Sequence, residues 1–333
     1  MTTRIAYGFQ RDLPGFADLN PAQAGARLRS LGFDAVFMHG ADAAWIDGLH
    51  AAGLRVYESL GVFAGEDAWA QFPDSRPIMA DGKPAPREAW YAPALPTLPA
   101  LRAHRLRALD DLLQAAPVDG LWLDFIRWPA RWERAEPSLY DSSFDPVTLR
   151  QFQDDTGVQF PAGVAAPTDA AAWLLEHAAG AWFQWRCEQI VSFVAEARAL
   201  VRRHHPGALL GVFVVPWTDA DFADAHGGAI VRIVGQDLTL LAPFVDVFSP
   251  MVYHRLCRRA PTWVGQVTAW ARARSGGRVW PIIETLEPGD AYPLDEFAAA
   301  CRSAAEAASD ALLVFKLDGM LLDPARLDVW KTL

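Results

Sequence analysis

The chain has 333 residues, 52% hydrophobic and 21% charged, enough apolar material for a large packed core and too little polarity for a disordered chain. Its formal net charge of −10 repels phosphate backbones, which excludes nucleic acid as the expected partner. The three cysteines, Cys187, Cys257 and Cys301, are odd in number and form no CxxC pair, so they read as reduced, mostly buried thiols and neither as a disulfide framework nor as a zinc site.

RIAYGFQ (4–10) reads as the first strand, followed by a helix at 21–31 that Asn20 caps and Pro21 opens. DAVFMHG (34–40) is the second strand, with a helix at 41–52 that stops at Gly53. LRVYESLGVF (54–63) is the third. The Pro-, Asp- and Gly-containing excursion at 64–97 has the length of a binding loop laid over a site. A helix at 98–115 leads to GLWLDFIRWP (120–129), the fourth strand, and to a second insertion at 130–145. A short helix at 146–155 and a long helical region at 168–205 precede ALLGVFVVPW (208–217), the fifth strand. After a helix at 228–242 come VDVFSPMVYH (245–254), a helix at 262–274, GRVWPIIETL (277–286), a helix at 293–308, DALLVFKLDGM (310–320) and a short helix at 324–332.

The strands are continuous apolar runs, as expected where both faces are covered. Eight strand–helix units in order predict an α/β fold, a single (β/α)8 TIM barrel spanning 1–333 with insertions after strands three and four. An open doubly wound sheet would carry a glycine-rich phosphate turn after strand one. GFQRDLPG lacks it, and no phosphate-binding loop occurs elsewhere, so no nucleotide or other cofactor is expected. The N-terminus MTTRIAYGFQ shows no apolar signal region and no run reaches membrane-spanning length, so a soluble, cytoplasmic protein with no membrane partner is expected.

Active sites of such barrels gather at the C-terminal strand ends. Those ends carry His39, Glu58, Asp124, Arg127, Trp217, Tyr253, His254, Glu284, Lys316 and Asp318. Glu58, Asp124 and Glu284 interrupt otherwise apolar strands, and a strand tolerates a buried carboxylate only where it is paired or needed. Two carboxyl groups across a sugar are the minimal set for glycoside hydrolysis, about 5–5.5 Å apart in a retaining enzyme. Asp124, near Arg127, is expected to stay ionised as nucleophile, and Glu284, in an apolar run, to be the acid/base, with the reverse assignment open. His39, Glu58, Arg127, Tyr253, His254 and Asp318 are expected to position hydroxyls. Fourteen tryptophans suggest aromatic platforms for sugar rings, with Trp90, Trp128 and Trp217 as candidates. No H-E-x-x-H or G-x-S-x-G occurs, so neither a metal site nor a serine triad is expected. Two alternatives stay open: a carbohydrate-binding barrel without turnover, and a lyase or aldolase using Lys316 as a Schiff-base amine.

VDGLWLDFIRWP (118–129) and VGQDLTLLAPFVDVFSPMVYHR (234–255), with VWPIIETL (279–286) and REAWYAPALPTLPALRAHRLRAL (87–109), resemble blocks of hypothetical glycoside-hydrolase-like barrel families related to the alpha-galactosidase and alpha-amylase superfamilies. The resemblance implies a TIM barrel, a carbohydrate substrate and a catalytic aspartate at Asp124. Its strand-seven block places Gln where this chain has Glu284, so the resemblance carries no role for that residue.

Overall fold

The structure is a computed structural model that describes residues 2–40, 42–285, 287, 289, 291–308 and 310–333. Among the described residues, eight parallel strands form the barrel. They are β1 (Thr3–Phe9), β2 (Ala35–Met38), β3 (Arg55–Gly61), β4 (Gly120–Asp124), β5 (Leu209–Val214), β6 (Val247–Pro250), β7 (Arg278–Val279 and Ile282–Glu284) and β8 (Ala311–Phe315). Neighbours in sequence are neighbours in space, and β1 also pairs with β8. Pro281, which has no N–H to give, falls where β7 breaks in two. The first half pairs with β6 and the second with β8, and a parallel bridge from Met251 to Ile282 closes the ring.

Aromatic rings fill the barrel. Trp122 of β4 stacks on Trp280 at 5.6 Å between centroids and meets Tyr57 and Phe37 at 4.9 and 5.1 Å. Its indole N–H donates to Ser249 Oγ at 3.0 Å, so the polar edge is satisfied inside the core. The facing position on β5 must be glycine, because a Cβ on Gly211 would lie 2.0 Å from the Trp122 ring. Most of the tryptophan excess serves this kind of packing. Trp122, Trp128, Trp132, Trp182, Trp185, Trp217, Trp280 and Trp330 are buried, and Trp90 is the one strongly exposed tryptophan among the described residues.

Strand order and both insertions agree with the expectation from sequence, and several boundaries do not. β4 ends at Asp124 instead of 129, because Phe125 takes a left-handed φ of 50° and turns the chain off the barrel. The region 168–205 is two helices, Pro167–His177 and Ala179–His204, broken at Ala178. The expected helix at 228–242 is two single turns, Ala229–Arg232 and Leu238–Leu241, separated at Gly235 (φ 66°). The residue after that glycine explains the break. Gln236 is buried, accepts from the Val215 N–H at 2.9 Å and donates to the carbonyls of Ile126 and Phe213, tying the tops of β4 and β5 together. β8 stops at Phe315, and Leu317–Leu321 is a short helix. The 64–97 excursion contains a helix, Glu66–Gln71, and turns closed by single bridges. The expected boundaries at 41 and 286 lie outside the described residues.

Candidate active site

A cavity of about 690 Å³ opens at the C-terminal end of the strands, the size of a small-ligand site. Its floor and walls are largely rings: Tyr7, Phe125, Trp132, Tyr253 and Phe315, with Trp90 at the rim. Tyr253 lies between Trp132 and Phe315, stacked on each at 5.5 and 5.2 Å. Trp90 is 54% exposed; the Arg131 guanidinium lies over its ring at 4.7 Å and Phe125 meets it edge-on at 5.8 Å. The turn carrying Trp90 is tied by backbone hydrogen bonds between Glu88 and Tyr91 and by an ion pair from Glu88 to Arg134 of the second insertion.

Asp124, the last residue of β4, lines this cavity. Its Oδ1 accepts from the Phe125 N–H at 2.7 Å, a bond that the left-handed turn makes possible. Burial raises the pKa of this carboxyl; the Phe125 N–H and the charges of Arg127 and His39 pull it down without overcoming burial. Arg127, expected from its place in the sequence to keep Asp124 ionised, gives its hydrogen bonds to other groups. Arg127 is buried, and its guanidinium donates to the Tyr91 hydroxyl and the Ala130 carbonyl, holding the second insertion against the first.

Beside Asp124 stands a polar chain built on β1, β2 and β3. Glu58 is 3% exposed, and both its oxygens are used: Oε1 meets His39 Nδ1 at 2.9 Å and Oε2 accepts from the Gly40 N–H at 2.9 Å. The His39 side chain is 49% exposed toward the cavity, and its Nε2 lies 3.3 Å from the Tyr7 hydroxyl, which lies 3.1 Å from Ser59 Oγ. The hydrogen bond to Glu58 raises the pKa of His39 against the opposing effect of burial. Burial and the negative charge of Asp124 push Tyr7 well above the ordinary phenol range, so it is a neutral donor at any physiological pH.

Glu284 has a different setting. By strand register it sits level with Phe315 and Tyr7, yet it is not among the residues lining the cavity. Its carboxylate accepts from the N–H groups of Arg255 and Leu256 at 2.5 and 3.3 Å, and Oε1 lies 3.2 Å from His254 Nδ1. His254 is fully buried, and its other nitrogen lies 3.1 Å from Glu296.

Of the residues singled out from sequence, Asp124, His39, Tyr253, Trp90 and Asp318 line the cavity, and Glu58 stands directly behind His39. Arg127, Trp128, Trp217, His254 and Glu284 do not. Trp128 is buried with its N–H on the Arg186 carbonyl, and Trp217 packs against Phe222, so neither offers a stacking face there. Lys316 lines the cavity with its side chain 42% exposed and its ammonium 3.9 Å from Glu287, not the apolar pocket a Schiff-base amine needs. Sequence reasoning passed over Tyr7, Phe125, Arg131, Trp132 and Phe315. Tyr7 left the clearest signal, a ring with a polar tip beside Gly8, where the pairing of β1 with β2 shifts register. Among the described residues, no cluster of three or more His, Cys, Asp or Glu is arranged to hold a metal ion, and no helix is long and apolar enough to cross a membrane.

No family model and no curated protein matches the sequence. Solved structures do match the fold. The glycoside hydrolase domain of PgaB (BpsB) from Bordetella bronchiseptica superposes with a TM-score of 0.73 at 17% identity, over 99% of this chain and 98% of that one. A GH42 beta-galactosidase, Gan42B from G. stearothermophilus, gives 0.64 at 12% identity over 99% of this chain and 55% of that one. Alpha-L-fucosidase isoenzyme 2 from Paenibacillus thiaminolyticus gives 0.57 at 12% over 99% and 48%. The chain thus spans about half the length of the latter two, and the likeness is one of barrel architecture.

Proposed function

We propose that this chain is a glycoside hydrolase in which Asp124 is the general acid. The observation that carries the reading is the Asp124 carboxyl, raised in pKa by burial and opening on a ring-walled cavity. The fold is shared with a glycoside hydrolase domain along nearly the whole chain, which supports this reading. The acid role replaces the nucleophile role that proximity to Arg127 had suggested, because that guanidinium is engaged elsewhere and burial favours the protonated carboxyl. In the first step the Asp124 proton passes to the glycosidic oxygen as the bond from that oxygen to the anomeric carbon breaks.

The opposite face of the sugar then needs a second carboxylate, either to attack the anomeric carbon or to take a proton from water. Glu284, the partner expected from sequence, spends its oxygens on the turn after β6. Asp318 follows β8, diametrically across the barrel from β4, and faces the cavity, so we assign it this role. The stacked rings suit the apolar face of a sugar, and Trp90 suits a second ring at the rim.

The test is turnover of a panel of 4-nitrophenyl glycosides, including β-galactosides and α-L-fucosides, by the wild type and by Asp124→Asn and Asp318→Asn. Each substitution is expected to lower kcat/KM by at least about 10²-fold with the fold intact, the usual cost of losing a general catalyst. Undiminished activity in Asp124→Asn would refute the assignment. Binding without turnover in the wild type would favour a carbohydrate-binding barrel.

A further inference from the structure

Glu58 takes no part in the scheme above, yet it is among the most buried carboxylates in the molecule and has all its oxygens engaged. A buried carboxylate survives where a fixed cation or several donors compensate it. Here the compensation is one backbone N–H, from Gly40, and the His39 ring. That ring is anchored at Nδ1 and steadied at Nε2 by Tyr7, whose hydroxyl lies within hydrogen-bond reach of Ser59. Its exposed edge faces the same cavity as Asp124.

We infer that Glu58 is a positioning residue that fixes the His39 ring, as an imidazolium, on the cavity wall it shares with Asp124, and that this cation lowers the highest pH at which Asp124 can still deliver its proton. The inference rests on the acid role proposed for Asp124. The coupling runs both ways: the His39 charge steadies the Asp124 carboxylate, and the Asp124 charge strengthens the hold of His39 on its proton. The other groups around Asp124 are the phenols of Tyr7 and Tyr253 and the guanidinium of Arg127; Arg131, Glu133, Glu287, Lys316 and Asp318 line the rest of the cavity. Arg131 is paired with Glu133, and Lys316 faces Glu287 at 3.9 Å. Arg127 acts on Asp124 as well, but its guanidinium is buried on the Tyr91 hydroxyl and the Ala130 carbonyl, so of the two His39 is the one that opens on the cavity.

Two measurements test the inference. The first is the pH profile of kcat/KM on whichever nitrophenyl glycoside is turned over, for the wild type, Glu58→Gln and His39→Asn. Loss of the cation is expected to move the alkaline limb up by about half a pH unit or more in both variants, a modest figure because the site is partly exposed. The second needs no substrate: the His39 ring is titrated by NMR in the wild type and in Asp124→Asn. Its midpoint is expected to fall in the variant. An alkaline limb that stays in place in folded Glu58→Gln and His39→Asn, or a His39 midpoint indifferent to Asp124→Asn, overturns the inference and leaves the acid role standing. Full activity in Asp124→Asn removes the acid role itself, and the inference with it.

Discussion

Two glutamate–histidine couples stand at the top of this barrel, and they have opposite characters. Glu58–His39 stands at the cavity, with the imidazole half exposed and its pKa raised by the carboxylate. Glu284–His254 is sealed under the turn after β6, with the imidazole fully buried between two carboxylates and its pKa lowered by that burial. The residue types are the same, but the bonding is not: His39 Nδ1 is hydrogen-bonded to Glu58, whereas His254 bonds Glu296 through Nε2 and its Nδ1, 3.2 Å from Glu284, has no hydrogen-bond partner among the described residues. Solvent decides the difference. Where water and a future ligand reach the ring, the attraction outweighs desolvation; where they do not, desolvation outweighs it. The open couple is suited to act on chemistry, the sealed one to hold a turn.

The largest test of that contrast is to break the sealed couple. Glu284→Ala leaves the half-buried N–H groups of Arg255 and Leu256 without this acceptor, and is expected to cost about 1–3 kcal/mol in urea unfolding. The milder Glu284→Gln is expected to keep the turn and most of the activity. A well-folded Glu284→Gln that loses about 10²-fold in kcat would restore Glu284 as a catalytic carboxylate and dissolve the contrast.

On the open side, Asp124→Asn is expected to remove activity without removing stability. The Asp124 pKa is raised in the fold, so folding disfavours its ionised form: the protein loses stability as pH climbs through 3.8 toward the folded value. At neutral pH the asparagine variant should therefore melt at the same temperature as wild type or higher. A lower Tm would mean the carboxylate braces the fold.

The pH dependence of stability sharpens the contrast further. His39 binds its proton more tightly folded than unfolded; that contribution is complete below the ordinary 6.5 and is lost as pH rises through the folded value above it. His254 has the reverse sign, so stability is lost as pH falls below 6.5 toward its lower folded value. The Tm deficit of His39→Asn should thus be larger at pH 5.5 than at pH 8, and that of His254→Asn smaller, each by roughly 1–3 °C. Deficits that change in the same direction would show that the two couples are alike.

The smallest effect is expected at the rim. Trp90→Ala should leave Tm and kcat unchanged and raise KM for oligosaccharides roughly two- to tenfold, the worth of one ring contact. An unchanged KM would leave Trp90 outside the binding surface.

Much of the architecture was legible in the sequence because its determinants are local. Apolar runs, Asn20 before Pro21, and glycines after helices specify elements within a few residues of themselves, and eight of them in alternation leave few topologies. Asp124 was legible too, as a charge interrupting an apolar strand at the end that barrels use. Its partners were not. Arg127, three residues away, turned toward Tyr91 because a left-handed Phe125 intervenes, and the GQD block held a buried glutamine that ties strand tops together. Glu284 and Glu58 look equivalent on paper, both lone acids in apolar strands. What separated them was which loop folded over each one. Burial and hydrogen-bond supply come from segments distant along the chain, so only the closed barrel could settle which of the two stands behind a side chain that lines the cavity.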